Sequence, residues 1–135
     1  MKYITGIQAL NIPCSLDTTG DWHRDGILWD PIAFADSESS VFGDYGIEGP
    51  KPVAALNGQC CFVADHIRAC LDMIASGQFG KAQCMRKDYI GNDIYDEEIF
   101  SQVLKLKNKE NWSEIDRFMS EEYMMKWRKF ADASR

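Results

Sequence analysis

The clearest pattern in the chain lies in its last third, where apolar side chains return at steps of three and four residues. These steps match the period of an α-helix, about 3.6 residues per turn, and predict one continuous helix over 112–132. Asn111 and Glu114 fit the N-cap and N3 positions of a capping box at its start. A second helix start at Ser120 is an alternative. The apolar stripe consists of Trp112, Ile115, Met119, Tyr123, Trp127 and Phe130.

The middle of the chain shows the same helical spacing over shorter segments. A helix is predicted over 63–76, and Gly77 stands where a C-cap glycine belongs. Apolar positions from Phe79 to Gly91 predict a second helix. A third, over 96–107, has acidic residues first and lysines last, which is the order that the helix dipole favours.

The first half alternates short β-type segments with turns. Strands are predicted over 3–12, 26–29 and 40–42, where β-branched and aromatic residues are concentrated. Residues 43–52 contain three glycines and two prolines, and they predict an irregular loop. Asn57-Gly58, between two further β-type segments, predicts a β-hairpin.

Together these elements predict an α+β fold in a single domain, residues 1–135. A small antiparallel sheet with long ordered loops (about 1–61) packs on a bundle of three to four helices (about 62–133).

Charge and cysteine content narrow the classes of function. Residues 1–61 contain eight acidic and three basic residues, which argues against a phosphate-binding nucleic-acid protein and leaves a basic protein partner open. No apolar run is long enough to span a bilayer, and the N-terminus lacks the apolar stretch of a signal peptide. Five cysteines, an odd number, predict free thiols in a reducing compartment, so we expect a cytoplasmic protein.

Two histidines limit any histidine-dependent chemistry. His23 stands between Asp21 and Asp25, which could orient its imidazole in a catalytic or ligand-binding loop. A solvated turn with Trp22 as a core anchor is the alternative. In the catalytic interpretation, this loop converges with Asp44 and Tyr45 on one pocket.

The second histidine raises the question of a metal. His66 and Cys70 are four residues apart on the predicted 63–76 helix and are the metal-ligand candidates, with structural zinc as the cofactor they would suit. Cys60, Cys61 or Cys84 would have to complete that set, and the C-x-x-C spacing typical of zinc sites is missing. Buried thiols beside a hydrogen-bonded histidine are the alternative, and no cofactor is expected.

The sequence gives little support for a cysteine-nucleophile enzyme or for a nucleotide-binding protein. A cysteine nucleophile would need His23 or His66 as a spatial neighbour, which a sequence does not show. The glycines at 43, 46 and 49 are followed by prolines where a phosphate-binding helix should begin.

The chain also carries several residues suited to protein contacts. Met124 and Met125 lie off the main helical stripe, so a soft apolar surface could remain for a partner, although a fully packed core helix would explain them too. The predicted partner-binding residues are Trp22, His23, Asp44, Tyr45, Glu48, Met124 and Met125.

Four segments of the chain resemble a family of small Firmicutes proteins, and the resemblance extends over nearly the whole chain. They are residues 5–14, 20–23, 42–48 and 64–68. The resemblance implies association with toxin–antitoxin or phage-defence loci, and hence an antitoxin or accessory role. It supplies no catalytic residues.

The sequence therefore predicts a non-enzymatic protein-interaction module, an acidic antitoxin or inhibitor of a bacterial toxin or defence protein. The alternative is a small enzyme or ligand-binding protein that uses the loops around His23 and Tyr45. A DNA mimic is a third interpretation, and it would need carboxylates aligned along one face.

Overall fold

The computed structural model describes residues 1–134 and, of Arg24, only the backbone. It confirms the predicted α+β fold. The strands are β1 (Lys2–Ile4), β2 (Phe34–Asp36), β3 (Ile47–Val53) and β4 (Gln59–Ala64). The helices are α1 (Gly6–Leu10), α2 (His66–Ala75), α3 (Phe79–Ala82), α4 (Asp96–Val103), α5 (Trp112–Tyr123) and α6 (Met125–Ala133).

The four strands form one mixed sheet in the order β2-β1-β4-β3. The outer pairs are antiparallel, whereas β1 and β4 are parallel, with Ile4 opposite Val63. The prediction of a purely antiparallel sheet was therefore wrong. Each of the two central strands leads directly into a helix, β1 into α1 and β4 into α2. Because the two strands are parallel, both helices begin at the same end of the sheet.

Three sequence predictions in the first half were wrong. The strand predicted over 3–12 ends at Ile4, because Gly6 adopts a φ of +67° and turns the chain into α1. Residues 26–29 contain no strand, and a short 3₁₀ turn, Arg24–Gly26, ends at the first of them. Residues 40–42 are not a strand either. The strand that pairs with β1 is β2, which begins six residues before position 40.

The segment 43–52 also differs from its prediction, because most of it belongs to β3. This strand tolerates Pro50 and Pro52 since it lies at the edge of the sheet and its register shifts between Glu48 and Lys51. The predicted hairpin is confirmed: β3 and β4 pair, and Asn57 in the connection has the left-handed φ of 58°.

The helices of the second half follow the predictions more closely. α2 and α4 are confirmed, and Gly77 follows α2 with a φ of +78°. The helix predicted from Phe79 to Gly91 is interrupted after α3, where Cys84 has a φ of +68°, and resumes as a single wide turn. Asn111 does occupy the N-cap of α5, but its side chain makes no capping hydrogen bond with the described residues.

The helix predicted over 112–132 is two helices, because Met124 interrupts it with a φ of 54° and a ψ of −131°. The apolar stripe nevertheless faces the core on both sides of the break. Phe100 of α4 packs against it, with ring centroids 4.9 Å from Tyr123, 5.5 Å from Trp127 and 5.4 Å from Phe130. The buried apolar residues of both halves of the chain form one cluster.

A fully buried arginine joins the sheet to α2. Arg68 donates to Asp72 (2.9 Å), to the Tyr3 hydroxyl (2.9 Å) and to the carbonyls of Gly43 (2.7 Å) and Tyr45 (2.6 Å). The guanidinium lies 5.0 Å from the centroid of the Tyr3 ring. These contacts hold the 43–45 segment against the start of α2.

Candidate functional site

The segment 20–33, which we call the Trp22 loop, is held at both ends by side chains of the short helix α1 and the residue after it. At its first end, Asn11 accepts from the His23 backbone N–H (2.7 Å) and donates to the Asp21 carboxylate (3.0 Å). The Asp21 N–H also donates to the Leu10 carbonyl at 2.8 Å.

At the second end of the loop, the amide of Gln8 makes three hydrogen bonds. It donates to the carbonyls of Leu28 (3.0 Å) and Pro31 (3.3 Å) and accepts from the Ala33 N–H (3.1 Å). The loop is therefore fixed at both ends by hydrogen bonds.

Large apolar side chains of this fixed loop project into solvent. Trp22 is 79% exposed and Leu28 is 72% exposed. The prediction that Trp22 anchors the core is thus wrong. Tryptophan is highly buried on average, so an exposed Trp22 together with an exposed Leu28 on one loop makes the loop a candidate contact surface.

The predicted histidine–carboxylate group is brought together in a cleft beside this loop. The cleft has a volume of about 490 Å³ and is lined by Asn11, Pro13, Asp21, Trp22, His23, Asp25 and Gly26. His23 Nδ1 lies 2.5 Å from an Asp21 carboxylate oxygen. This lining contains no Ser, Thr or Cys, so it offers an oriented imidazole and two carboxylates but no hydroxyl or thiol nucleophile.

The structure does not bring Asp44 and Tyr45 into this cleft. The Tyr45 hydroxyl donates to the Glu98 carboxylate, and its carbonyl accepts from Arg68. Burial first, and then the bond to Glu98, raise the pKa of the Tyr45 phenol. Asp44 is exposed.

Glu48 supports a different segment of the chain. Its carboxylate accepts from the N–H (3.0 Å) and hydroxyl of Ser15 and from Lys51 (2.8 Å). Burial alone would raise the pKa of Glu48, but these donors outweigh it and lower the pKa. Lys51 also donates to the Pro13 carbonyl at 2.8 Å. The two residues that flank Cys14 are thereby fixed.

Met124 and Met125 are exposed, at 56% and 64%, where α5 meets α6. They are available for contact, as predicted, but they belong to different elements from the Trp22 loop. The predicted partner-binding residues therefore fall into three separate sets: the Trp22 loop, the 44–48 segment and the helix junction.

A second cluster surrounds His66, the first residue of α2. His66 Nδ1 lies 2.7 Å from the Thr18 hydroxyl oxygen, and His66 Nε2 lies 2.9 Å from the Ile12 carbonyl oxygen. The Thr18 oxygen in turn lies 3.6 Å from the sulfur of Cys14. Cys14 and His66, 52 positions apart in sequence, thus share Thr18 as a common neighbour.

Electrostatics shift the pKa values of Cys14 and His66 in opposite directions. Burial alone would raise the pKa of the Cys14 thiol, but the His66 imidazole, the backbone N–H groups of His66 and Leu16, and the Thr18 hydroxyl outweigh it and lower the pKa. Burial alone would lower the pKa of His66, but Cys14 and the Ile12 carbonyl outweigh it and raise the pKa.

Gly20 closes the remaining side of the imidazole. A Cβ at this position would lie 2.7 Å from His66 Cε1 and 2.9 Å from the Leu10 carbonyl oxygen, and Gly20 has a φ of +71°. Only glycine fits here without displacing a neighbour. Because Gly20 is also the first residue of the Trp22 loop, the loop begins against the ring of His66.

The structure gives His66 and Cys70 separate surroundings. Both ring nitrogens of His66 have oxygen neighbours, and Cys70 is completely buried, which raises the pKa of its thiol. Within residues 1–134, no three His, Cys, Asp or Glu side chains are grouped so that they could hold a metal ion.

Sequence reasoning missed the roles of Gln8, Asn11 and Thr18. Each acts on a partner at least ten positions away, so no local motif marks it. For Gln8 and Asn11, the strand predicted over 3–12 also concealed the helix from which they reach the loop.

Comparison with protein-family models, with curated proteins and with solved structures finds no match to this chain. None of the helices described in residues 1–134 is long and apolar enough to cross a membrane.

Proposed function

We propose that this protein is a non-enzymatic protein-interaction module whose main contact surface is the Trp22 loop. The single observation that carries the proposal is the 79% exposure of Trp22 on a loop that Gln8 and Asn11 fix at both ends. An exposed aromatic side chain that is already ordered loses little conformational entropy when a partner covers it. Tryptophan is also among the residues that contribute most to binding energy.

Charge supports a basic partner. The loop contains three aspartates, Asp21, Asp25 and Asp30, within the acidic first half of the chain. Acidic groups around an apolar anchor increase the rate of encounter with a positively charged surface. The partner should therefore present an apolar recess for Trp22 and Leu28, rimmed by Lys or Arg.

The resemblance to small Firmicutes proteins extends this proposal to an antitoxin or inhibitor role. The partner would then be a toxin or defence protein encoded beside this chain. Within the proposal the interaction takes place in the cytoplasm, where reducing conditions suit the five free cysteines.

The test is co-expression of this chain with the product of the adjacent gene, followed by co-purification and titration of the purified pair. Trp22→Ala should weaken binding by at least 2 kcal/mol, about 30-fold in Kd. Because Trp22 is exposed, the melting temperature of the free chain should stay unchanged. Binding should also weaken as salt is raised.

Val41→Ala is the matched control, because Val41 is 57% exposed and lies outside the loop, and it should leave Kd unchanged. Met125→Ala tests the helix junction in the same assay. Binding that is indifferent to Trp22→Ala, or no binding to the neighbouring product, would overturn the proposal.

A second candidate, a small-ligand site, is favoured by the cleft in which Asp21 orients His23. His23→Asn distinguishes the two. His23 would lie at the rim of a protein contact but at the centre of a small-ligand site. If the protein-contact proposal holds, His23→Asn should therefore weaken partner binding far less than Trp22→Ala does.

A further inference from the structure

The cluster of Cys14, Thr18 and His66 is not needed for protein contact through the Trp22 loop. Cys14 offers a nucleophile, Thr18 a hydroxyl relay and His66 a base. The Cys14 sulfur lies 3.6 Å from the Thr18 hydroxyl oxygen, which lies 2.7 Å from His66 Nδ1. This is the order that activates a thiol for attack.

The contact of His66 Nε2 fixes the tautomer of the ring. A carbonyl oxygen only accepts hydrogen bonds, so Nε2, at 2.9 Å from the Ile12 carbonyl, carries a proton. In the neutral ring, Nδ1 is then free to accept from Thr18. The Thr18 hydroxyl oxygen can accept the Cys14 proton while its own proton passes to His66 Nδ1. This double transfer leaves Cys14 as a thiolate and His66 as an imidazolium.

The surroundings of the sulfur stabilise that thiolate. The backbone N–H groups of His66 and Leu16 lower the pKa of the Cys14 thiol, and that of His66 belongs to the first turn of the ten-residue helix α2. Lys51 and Glu48 fix the neighbouring residues Pro13 and Ser15. The sulfur is thus held in place before any reagent arrives.

The space around Cys14 argues for a small reagent. Two cavities, of about 270 and 490 Å³, include Pro13 in their lining, and neither lining includes Cys14. The thiol is only partly exposed. A peptide or acyl chain would need a binding cavity at the sulfur, whereas a small hydroperoxide needs only access to it.

We propose that Cys14 is a nucleophilic thiol, activated by His66 through Thr18, that reacts with small hydroperoxides. The thiolate attacks one peroxide oxygen, an S–O bond forms and the O–O bond breaks. Sulfur is oxidised by two electrons to sulfenic acid, and the peroxide is reduced to water or an alcohol. The proton taken up by His66 returns through Thr18 to the leaving oxygen.

The test compares all five cysteines of the folded protein at pH 7. The chain is exposed to hydrogen peroxide, sulfenic acid is trapped with dimedone, and each site is quantified by mass spectrometry. Cys60 and Cys84 are exposed and serve as internal controls. Cys14 should be labelled about tenfold faster than either, because an ordinary thiol is only a few per cent thiolate at this pH.

Thr18→Val keeps the side-chain shape and removes the hydroxyl, so it should slow the labelling of Cys14 several-fold, toward the rate of Cys60. It should also move the pH profile of Cys14 alkylation by iodoacetamide to higher pH, which a merely structural role of Thr18 would not do. Because His66 is buried, His66→Asn is informative only if it folds, and Thr18→Val tests the relay without it.

Equal labelling of Cys14 and Cys60, or no effect of Thr18→Val, would overturn the proposal. Fast alkylation of Cys14 without fast sulfenic acid formation would overturn the choice of hydroperoxide. Val41→Ala, outside both sites, should leave the labelling unchanged. The labelling is measured on the chain alone and the partner titration without peroxide, so failure of the thiol proposal and failure of the interaction proposal are distinguishable.

Discussion

Asp65 is an N-cap carboxylate that the fold shields from water. Its side chain accepts from the Arg68 N–H at 2.8 Å, as an N-cap should, and it is only 7% exposed. Burial raises its pKa to about 6; the Arg68 N–H acts in the opposite direction, and nearby Glu48 adds to the rise. Asp65 therefore caps α2 at an electrostatic cost near neutral pH.

The sign of the pH effect follows from this raised pKa. Below the unfolded value of 3.8 the carboxyl is protonated in both states, and its contribution to stability is complete. As pH rises through about 6, the folded protein must ionise a buried acid, and that contribution is lost.

We predict that Asp65→Asn removes this dependence while keeping an N-cap of similar quality. The free energy of unfolding of the variant minus that of the wild type should rise by roughly 2 kcal/mol between pH 4 and pH 7. Urea denaturation at both pH values measures it. Taking the difference cancels the titrating groups that do not interact with Asp65; His66, whose pKa Asp65 helps to raise, is the exception. A difference that is the same at both values would contradict the raised pKa of Asp65.

At the scale of elements, the junction of α5 and α6 shows a single residue dividing a helix. The φ of 54° and ψ of −131° at Met124 belong to a region that glycine adopts readily and methionine does not. The Met124 side chain is 56% exposed, so packing contributes little to offset the strain.

Met124→Gly should therefore stabilise the protein by about 1 kcal/mol, because relief of strain outweighs the added freedom of the unfolded chain. The matched control is Met125→Gly, at the first residue of α6 and also exposed, which should destabilise by up to about 0.5–1 kcal/mol, the cost of glycine inside a helix. Thermal and chemical denaturation measure both. Two substitutions with the same sign would show that the junction is not strained.

The same junction explains which parts of the fold were predictable. The stripe from Trp112 to Phe130 was predicted correctly, because burial sets its period and the core continues past the break. The break itself was not predicted at Met124, since no glycine or proline marks it. In β3, conversely, glycine and proline concealed a strand that only its edge position permits.

The candidate sites were less predictable than the fold. The sequence placed Asp21, His23 and Asp25 correctly in one loop, because they are neighbours along the chain. It did not join Cys14 to His66, since that contact depends on the parallel pairing of β1 with β4 and on the path of α1. Local patterns do not encode such distant contacts.

At the scale of the whole molecule, Arg68 connects three regions that are distant in sequence. Its guanidinium, which is fully buried, contacts Tyr3 of β1, the 43–45 segment and Asp72 of α2. Tyr3 and Thr5 also donate to Asp72, at 2.6 and 2.7 Å. The network thus ties the sheet to α2 through fully engaged polar groups.

Arg68→Met should lower the free energy of unfolding by about 3–5 kcal/mol, because it leaves buried carbonyls and Asp72 without their cation. Arg68→Lys should recover little of this loss, since one ammonium does not reproduce the planar fork that serves four acceptors. Arg128→Met is the matched control. The ion pair of Arg128 with Asp116 is partly exposed and should contribute less than about 1 kcal/mol.

The double variant Arg68→Met/Asp72→Leu separates the two sources of this cost. If the uncompensated carboxylate dominates, removing it as well should restore part of the stability, and the two effects will not be additive. If the orphaned carbonyls of Gly43 and Tyr45 dominate, the double variant should be no more stable than Arg68→Met. In that case Arg68 acts mainly by organising the 43–45 segment. An Arg68→Met chain as stable as Arg128→Met would contradict both explanations.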